Sequence, residues 1–269
     1  MEARHRSLAE IHLAVLLFGF PGLFGKWLAF PPVLIVFGRV LFASLTLAAV
    51  MALGRRNFRV SPRRDLSLLV ACGFVLAVHW TTFFKSVQVS SVAVGLLAYS
   101  SFPVFTAFLE PLLARERWDP KSLFYALACV VGIGLIIPSF DLSNAVVRGV
   151  LWGLAAGLSF SLLSLLDRRL ASRHSSLAVA FYQDLFAGVF LLPAVLRGGL
   201  PFSGPDWALV AVLGVFCTAL AHTLFIDGMK VVGARTASVL SSLEPVYGIL
   251  LALVFLKESP SLRTVSGGA

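Results

Sequence analysis

Long apolar stretches alternate with short polar segments along the whole chain. Nine stretches of about 18 or more residues hold few charges, and they lie near 8–28, 31–53, 66–86, 89–111, 121–138, 148–166, 177–196, 207–229 and 235–256. A helix of that length crosses the hydrocarbon core of a bilayer. The pattern therefore predicts an all-α fold, a polytopic membrane helix bundle. No small-x-small cleavage site follows the first stretch, so we expect it to be retained as a span rather than removed as a signal peptide.

Composition excludes a water-soluble fold. The 269 residues are 58% hydrophobic and only 13% charged, with a mean hydropathy of +0.92, whereas soluble domains carry about 25% charged residues. The 22 basic and 13 acidic residues give a net charge of +9. In a membrane protein such an excess indicates loops that face anionic lipid headgroups, so the predicted partner is the lipid bilayer and not nucleic acid.

Basic residues divide unevenly between the two sides of the predicted bundle. If the N-terminus is cytoplasmic, its side receives Arg4, Arg6, Arg55, Arg56, Arg59, Arg63, Arg64, Arg115, Arg117, Lys121, Arg168, Arg169, Arg173, Lys230 and Arg235. The other side receives Lys26, Lys85, Arg148, Arg197, Lys257 and Arg263. Because cytoplasmic loops are enriched in Lys and Arg, this distribution predicts a multi-pass protein of the cell membrane, inner or plasma, with a cytoplasmic N-terminus.

The chain resembles itself at an offset of 142 residues. Ser-Ser-Phe-Pro-Val at 100–104 aligns with Ser-Leu-Glu-Pro-Val at 242–246, and Glu116 aligns with Glu258. The repeat unit has five spans, and since five is odd the second copy must enter the membrane from the opposite side. We therefore predict two inverted five-helix repeats, 1–142 and 143–269, an arrangement typical of secondary transporters.

The second repeat is shorter than the first. The fifth span, 121–138, maps to 263–280, but the sequence stops at Ala269. The small residues at 264–269 look like the opening of a helix, so we expect nine spans to be present and a tenth to be truncated. A protein that works with nine spans is the alternative.

The second-half motif resembles the EamA-type signature of the drug/metabolite transporter superfamily. It comprises Ser-Leu-Glu-Pro-Val at 242–246, an apolar run to Phe-Leu-Lys-Glu-Ser-Pro-Ser at 255–261, and Gly267. Pro103 and Glu116 in the first half and Arg39 in the second span also match the family pattern. The resemblance implies ten spans in two inverted halves, cytoplasmic termini, and transport of small metabolites or drugs, often amino-acid efflux.

Ionisable residues inside the predicted spans are candidates for function, because each costs roughly 2.5–3.5 kcal/mol on insertion scales. His79 lies beside Trp80 in the third span, and the repeat offset places Trp80 opposite His222 in the eighth. We expect the three side chains to face one central cavity. They bind substrate or a proton, or the histidines are hydrogen-bonded core residues; the sequence leaves both alternatives open.

Two opposite charges lie within other spans. Glu244 precedes Pro245 in the ninth span, and Arg39 lies in the second. Either they form a buried ion pair, or Glu244 binds an amine or a proton. Pro245 and its equivalent Pro103 each remove a helix hydrogen bond, so we expect matched weak points there.

Three further side chains complete the candidate set. Asp184 lies one or two turns into the seventh span, and we group it with Arg39 and the two prolines as structural or gating residues. Tyr99 and Tyr247 flank the prolines and are candidates to stack on or hydrogen-bond to a planar substrate. Packing in the core or against lipid is the alternative for both tyrosines.

No cofactor or metal site is predicted. Cys72, Cys129 and Cys217 each lie alone in an apolar run, and the sequence holds no ATP-binding loop. The repeat and the resemblance predict a secondary membrane transporter that exports amino acids or related small polar metabolites or drugs by alternating access. Its partner is a small-molecule substrate, with H+ coupling and a homodimer left open. The alternatives are an intramembrane lipid-modifying enzyme and a channel without a bound-substrate cycle.

Overall fold

A computed structural model describes residues 2–114, 120–137, 141–171, 173–201, 203–232, 240–241 and 243–268. The described residues form helices joined by short connections. The helices are α1 (Glu2–Gly19), α2 (Pro21–Trp27), α3 (Pro32–Leu53), α4 (Arg63–Val89), α5 (Val92–Tyr99), α6 (Phe102–Ala114), α7 (Pro120–Ile136), α8 (Ala145–Ala171), α9 (Ser176–Gly198), α10 (Gly204–Gly214), a π-helical segment (Val215–Leu220), α11 (Ala221–Val232), α12 (Glu244–Phe255) and α13 (Leu262–Gly268).

Within the described ranges, seven helical segments are long and apolar enough to cross a membrane. They are Arg4–Trp27, Pro32–Leu53, Arg63–Val89, Val92–Leu112, Ala145–Asp167, Ser176–Gly198 and Gly204–Phe225. The predicted fifth and ninth spans are represented by shorter apolar helices, Leu127–Ile136 and Glu244–Phe255. The predicted all-helical membrane bundle is thus confirmed, with seven full spans among the described residues instead of nine. Part of the ninth stretch and Glu116 lie outside those residues.

Two spans are interrupted at equivalent positions of the repeat. In the fourth span α5 ends at Tyr99 and α6 begins at Phe102, and in the ninth α12 begins at Glu244. Pro103 and Pro245 therefore occupy the second position of their helices. Proline is tolerated there because the first helical N–H groups have no partner within the helix. The two prolines therefore begin helices at equivalent positions of the two copies.

The same helix contacts recur when each span is replaced by its equivalent in the other copy. The third span packs on the sixth through α4 and α8, and the first packs on the eighth through α1 and α11. In the same way α5 and α6 contact α8, while α12 contacts α1 and α2. Equivalent spans of the two copies also contact each other: α3 packs on α9, α5 on α12 and α7 on α13.

Single residues at these helix crossings also occupy equivalent positions in the two copies. Where α6 crosses α8, the hydroxyl oxygens of Thr106 and Ser161 are 2.8 Å apart and share a hydrogen bond. The equivalent positions on α12 and α1 are Gly248 and Gly19, where a Cβ built on Gly248 would lie 3.1 Å from the Gly19 carbonyl oxygen. One copy thus joins its helices by a hydrogen bond, and the other by close backbone contact.

A second pair of equivalent positions behaves in the same way. The Ser86 hydroxyl on α4 donates a hydrogen bond to the Gly149 carbonyl oxygen on α8 at 2.6 Å. At the equivalent place on α11, a Cβ built on Gly228 would lie 2.8 Å from the Ser7 carbonyl oxygen. The same helix crossings are therefore stabilised by different residue types in the two copies.

We expect Gly248→Ala to destabilise the bundle, because the added methyl group would press on the Gly19 backbone and on the Leu96 side chain. Overpacking of this kind costs about 1–3 kcal/mol, which thermal unfolding of the detergent-solubilised protein would register as a lower midpoint. Gly134→Ala is the matched control, since a Cβ there meets no atom within 4 Å. Equal midpoints for the two variants would contradict the close crossing.

Candidate functional site

The centre of the bundle holds a buried cation, Arg39, on α3. Its side chain is 3% exposed, and its Nε donates a hydrogen bond to the Thr218 hydroxyl at 2.7 Å. The guanidinium carbon lies 3.7 Å from the centroid of the Trp80 ring. A guanidinium over an indole face gains a cation–π interaction of about 2 kcal/mol or more when both groups are desolvated. These contacts join the second, third and eighth spans at one point.

Thr218 is placed by an irregular turn of helix. It lies in the π-helical segment of the eighth span, and its hydroxyl donates to the Leu213 carbonyl oxygen at 3.0 Å. The hydroxyl proton is thus occupied, which leaves the oxygen to accept from Arg39. Single π-helical turns often occur at functional sites. The repeat equivalent of Thr218 is Leu76 in the regular helix α4, so only the second copy offers this acceptor.

Two carboxylates lie in electrostatic range of Arg39, Asp184 on α9 and Glu244 at the start of α12. Neither forms an ion pair with Arg39, whose described contacts are Thr218 and Trp80. The buried Arg39–Glu244 ion pair that the sequence allowed is therefore not formed in this conformation. One cation faces two acids, so full ionisation would leave one negative charge without compensation.

Glu244 replaces an aromatic residue of the other copy. Its repeat equivalent, Phe102, stacks on Tyr99 with ring centroids 5.7 Å apart. Glu244 is partly exposed and lies in the first turn of α12, where the unpaired N–H groups of a helix favour negative charge. Tyr99 lies in electrostatic range of Glu244. The second copy therefore presents a carboxylate at the position where the first copy presents an aromatic ring.

Trp80 and His222 meet where the two copies face each other. They occupy equivalent positions of the repeat, and their ring centroids are 6.3 Å apart. Trp80 is buried and His222 is partly exposed. Phe18 of the first span contacts His222 edge-on at 5.4 Å. The structure thus brings Trp80 and His222 together beside Arg39.

His79 lies in an aromatic cluster of the first repeat. Its Nδ1 is 2.9 Å from the Ala156 carbonyl oxygen on α8. Its ring contacts those of Tyr99 and Phe160 at 5.4 and 5.2 Å. This is the hydrogen-bonded core arrangement that the sequence left as the alternative for this histidine. Phe160, which the sequence did not single out, contacts Tyr99 and Phe102 as well.

Tyr247 lies at the crossing of the first and ninth spans. Its hydroxyl is 3.3 Å from Nδ1 of His12, and its Cβ lies against Gly19. At the centre, the structure gathers Arg39, Trp80, Asp184, Thr218, His222 and Glu244, and we call these six residues the central cluster. Thr218 was missed by the sequence reasoning, although the change from Leu76 in one copy to Thr218 in the other was a signal that could have found it.

Comparison with known proteins identifies the family. The description "EamA-like transporter family" matches residues 8–137 and again 147–269, which indicates a duplicated unit. An uncharacterized transporter, YxxF of Bacillus subtilis, is 27% identical over 99% of this chain and 88% of its own length. An S-adenosylmethionine uptake transporter of Rickettsia felis is 23% identical over 87% of this chain and 78% of its own.

A solved crystal structure has the same fold. It superposes with a TM-score of 0.69 over 97% of this chain and 92% of the other, at 21% sequence identity. The family match excludes the lipid-modifying enzyme that the sequence left as an alternative. This chain belongs to the EamA-like transporter family and is a multi-pass membrane transporter.

Proposed function

We propose that the protein is an exporter of amino acids or related small polar metabolites that works by alternating access. The observation that carries this proposal is the central carboxylate of Glu244, which is partly exposed and has no ion-pair partner among the described residues. A carboxylate beside aromatic faces suits a substrate ammonium group. Arg39, held nearby, suits a substrate carboxylate. The pair therefore favours zwitterionic or cationic amino-acid-like substrates.

One relative supports this class of substrate. The Rickettsia felis protein is named for the uptake of S-adenosylmethionine, which is itself an amino-acid derivative with a cationic sulfonium group and an aromatic base. Its cationic groups suit the Glu244 carboxylate, its carboxylate suits Arg39, and its aromatic base suits the aromatic rings nearby. The similarity favours testing S-adenosylmethionine alongside free amino acids.

Alternating access is supported by the exchange of helix contacts between the copies. Repeats of five spans would lie in opposite orientations in the membrane, and inverted copies with similar packing can exchange conformations around a central site. The loop charges favour an orientation in the cell membrane with the N-terminus on the cytoplasmic side. In that orientation the span ends at residues 27–32, 89–92 and 256–262 lie on the non-cytoplasmic face.

Polar contacts connect the span ends at this non-cytoplasmic face. The Glu258 carboxylate of the second copy accepts a hydrogen bond from the Val92 backbone N–H, at the start of α5, with Oε1 2.7 Å from the nitrogen. Lys26 of the first span lies in electrostatic range of Glu258 and donates to the Ser90 carbonyl oxygen at 2.7 Å. We call Glu258, Val92, Lys26 and Ser90 the outer latch. It would have to open for a substrate to leave on this side.

We expect Glu244→Gln to lower kcat/KM at least tenfold for substrates that carry an ammonium group, because the amide has no charge to attract it. Counterflow of radiolabelled amino acids and S-adenosylmethionine in proteoliposomes measures this, since saturable exchange identifies a carrier. For an analogue that lacks the amine, kcat/KM should fall little, because that analogue makes no ammonium contact with Glu244. Tenfold corresponds to about 1.4 kcal/mol of binding.

Glu10→Gln is the matched control for that measurement. Glu10 pairs with Arg6 at 2.9 Å near the start of α1, far along the helix from the central cluster, and its removal should leave counterflow unchanged. Equal loss for the amine and the amine-free analogue would remove Glu244 from substrate binding. Conductance that never saturates would favour a channel instead.

We expect Glu258→Ala to open the outer latch, because the Val92 N–H loses its acceptor. Ser101→Cys provides a reporter: Ser101 is 1% exposed at the break of the fourth span. A membrane-impermeant maleimide applied to intact cells should label this cysteine several-fold faster in the Glu258→Ala background, after subtraction of the labelling of the native thiols.

Glu258→Gln is the control for the outer latch. Its side-chain oxygen still accepts from Val92, so labelling should stay close to that of the unchanged latch. Equally fast labelling of the alanine and glutamine variants would assign the effect to the lost charge beside Lys26. Unchanged labelling in the alanine variant would show that these contacts do not control access.

A further inference from the structure

Asp184 is a buried carboxylic acid that the substrate site does not require. It lies on α9 and is 1% exposed. Its Oδ2 is buried and has no hydrogen-bond partner among the described residues. The neighbouring Gln183, by contrast, donates from Nε2 to Oδ1 of Asp167 on α8. The seventh span thus carries one satisfied polar group and, directly after it, one unsatisfied acid.

An ionised carboxylate is unfavourable in this environment. Burying a charge without a donor is costly, and proteins avoid the cost by neutralising the group or pairing it. A protonated carboxyl group has no charge to compensate and loses much less. The geometry around Asp184 therefore suits the protonated acid.

The elements packed against α9 carry several titratable groups. Those whose side chains are described are Arg39 on α3; Arg63, Arg64, Asp65, Cys72, His79 and Lys85 on α4; Arg148, Asp167 and Arg169 on α8; and His222 and Asp227 on α11. Cys217 lies in the adjacent π-helical segment. Among them, Arg39 is the cation that lies in electrostatic range of Asp184. The charge state of Asp184 consequently depends on where the Arg39 guanidinium lies.

Arg39 is held by two groups that belong to different spans, and it forms no ion pair with Asp184. Trp80 belongs to the third span and Thr218 to the eighth. If these spans move apart, the guanidinium loses the ring or the hydroxyl, and Asp184 is an anion it can reach instead. A planar guanidinium pairs well with a carboxylate and favours its ionised form.

From this geometry, and resting on the proposed transport function, we propose that Asp184 is a proton-binding coupling site. In the present conformation it holds a proton. When Arg39 leaves Trp80 and Thr218 and pairs with Asp184, the carboxyl O–H bond breaks, its electron pair stays on the oxygen, and the proton passes to water. Arg39 keeps its own protons throughout. Protonation of Asp184 thereby reports whether the third and eighth spans are together.

The first test needs no substrate, because Trp80 reports the position of Arg39. Tryptophan fluorescence of the full chain in proteoliposomes is followed against pH, and the Trp80 part is identified as the change lost in Trp80→Phe. We expect one pH-dependent transition of that part in the unmodified protein. It should vanish in Asp184→Asn, which cannot ionise, and persist in the control Asp141→Asn, a loop residue. A transition that survives in Asp184→Asn would belong to another group near Arg39, such as His222 or Glu244, and would overturn the proposal.

Thr218→Val provides an independent arm if Asp184→Asn fails to fold. Valine removes the acceptor of Arg39 at almost constant volume, so the guanidinium pairs more readily with Asp184 and the acid ionises more easily. The Trp80 transition should therefore move to lower pH, by about one pH unit for one lost hydrogen bond to a charged group. No shift, or a shift to higher pH, would contradict the coupling of Arg39 to Asp184.

Transport separates this proposal from the proposed function. We expect Asp184→Asn to retain at least half of the amino-acid counterflow at equal pH and to lose accumulation driven by a pH gradient. Gradient-driven accumulation at the unmodified level would overturn the coupling site and leave the carrier intact. Counterflow by the unmodified protein without any response to a pH gradient would also overturn the coupling site and leave the carrier intact. Absence of counterflow in the unmodified protein would instead overturn the proposed substrate class, while the fluorescence result still decides on Asp184.

Discussion

The placement of one buried cation organises the centre of this transporter. Arg39 lies over the Trp80 ring and donates to Thr218, so a charge that is costly in a membrane is shared between an aromatic face and a hydroxyl. Neither contact neutralises it. Arg39 therefore still attracts the nearby carboxylates, and the two acids, Asp184 and Glu244, differ in role because the single cation can fully compensate only one of them.

Around this cation the two copies of the repeat use one helix arrangement with different side chains. Gly19 and Gly248 replace the hydrogen-bonded Ser161 and Thr106 at the same crossing. Glu244 likewise replaces Phe102. Packing requires only that the helix axes approach to similar distances, so small or hydrogen-bonding residues serve equally well at a crossing. Chemistry can then differ between the copies, as it does at Glu244 and Phe102.

The outer latch is connected to the aromatic cluster around Tyr99 through α5. Glu258 holds the start of α5, and α5 ends at the break before Phe102, beside Tyr99 and the aromatic cluster. A helix of eight residues transmits a displacement of one end to the other as a rigid body. Closure of one face and the shape of the substrate site are therefore coupled in the proposed cycle.

The sequence by itself determined the membrane environment, the helical fold, the duplicated unit and the family, because apolar run length, charge count and repeat offset are properties of the chain in one dimension. It also placed Trp80 opposite His222, since the offset relates those positions directly. Only the tertiary structure decided that Arg39 contacts Trp80 and Thr218 instead of Glu244, and that His79 bonds to a backbone carbonyl. Those outcomes depend on which helix faces meet and on the reach of a long side chain, and in uniformly apolar spans no residue pattern marks either one.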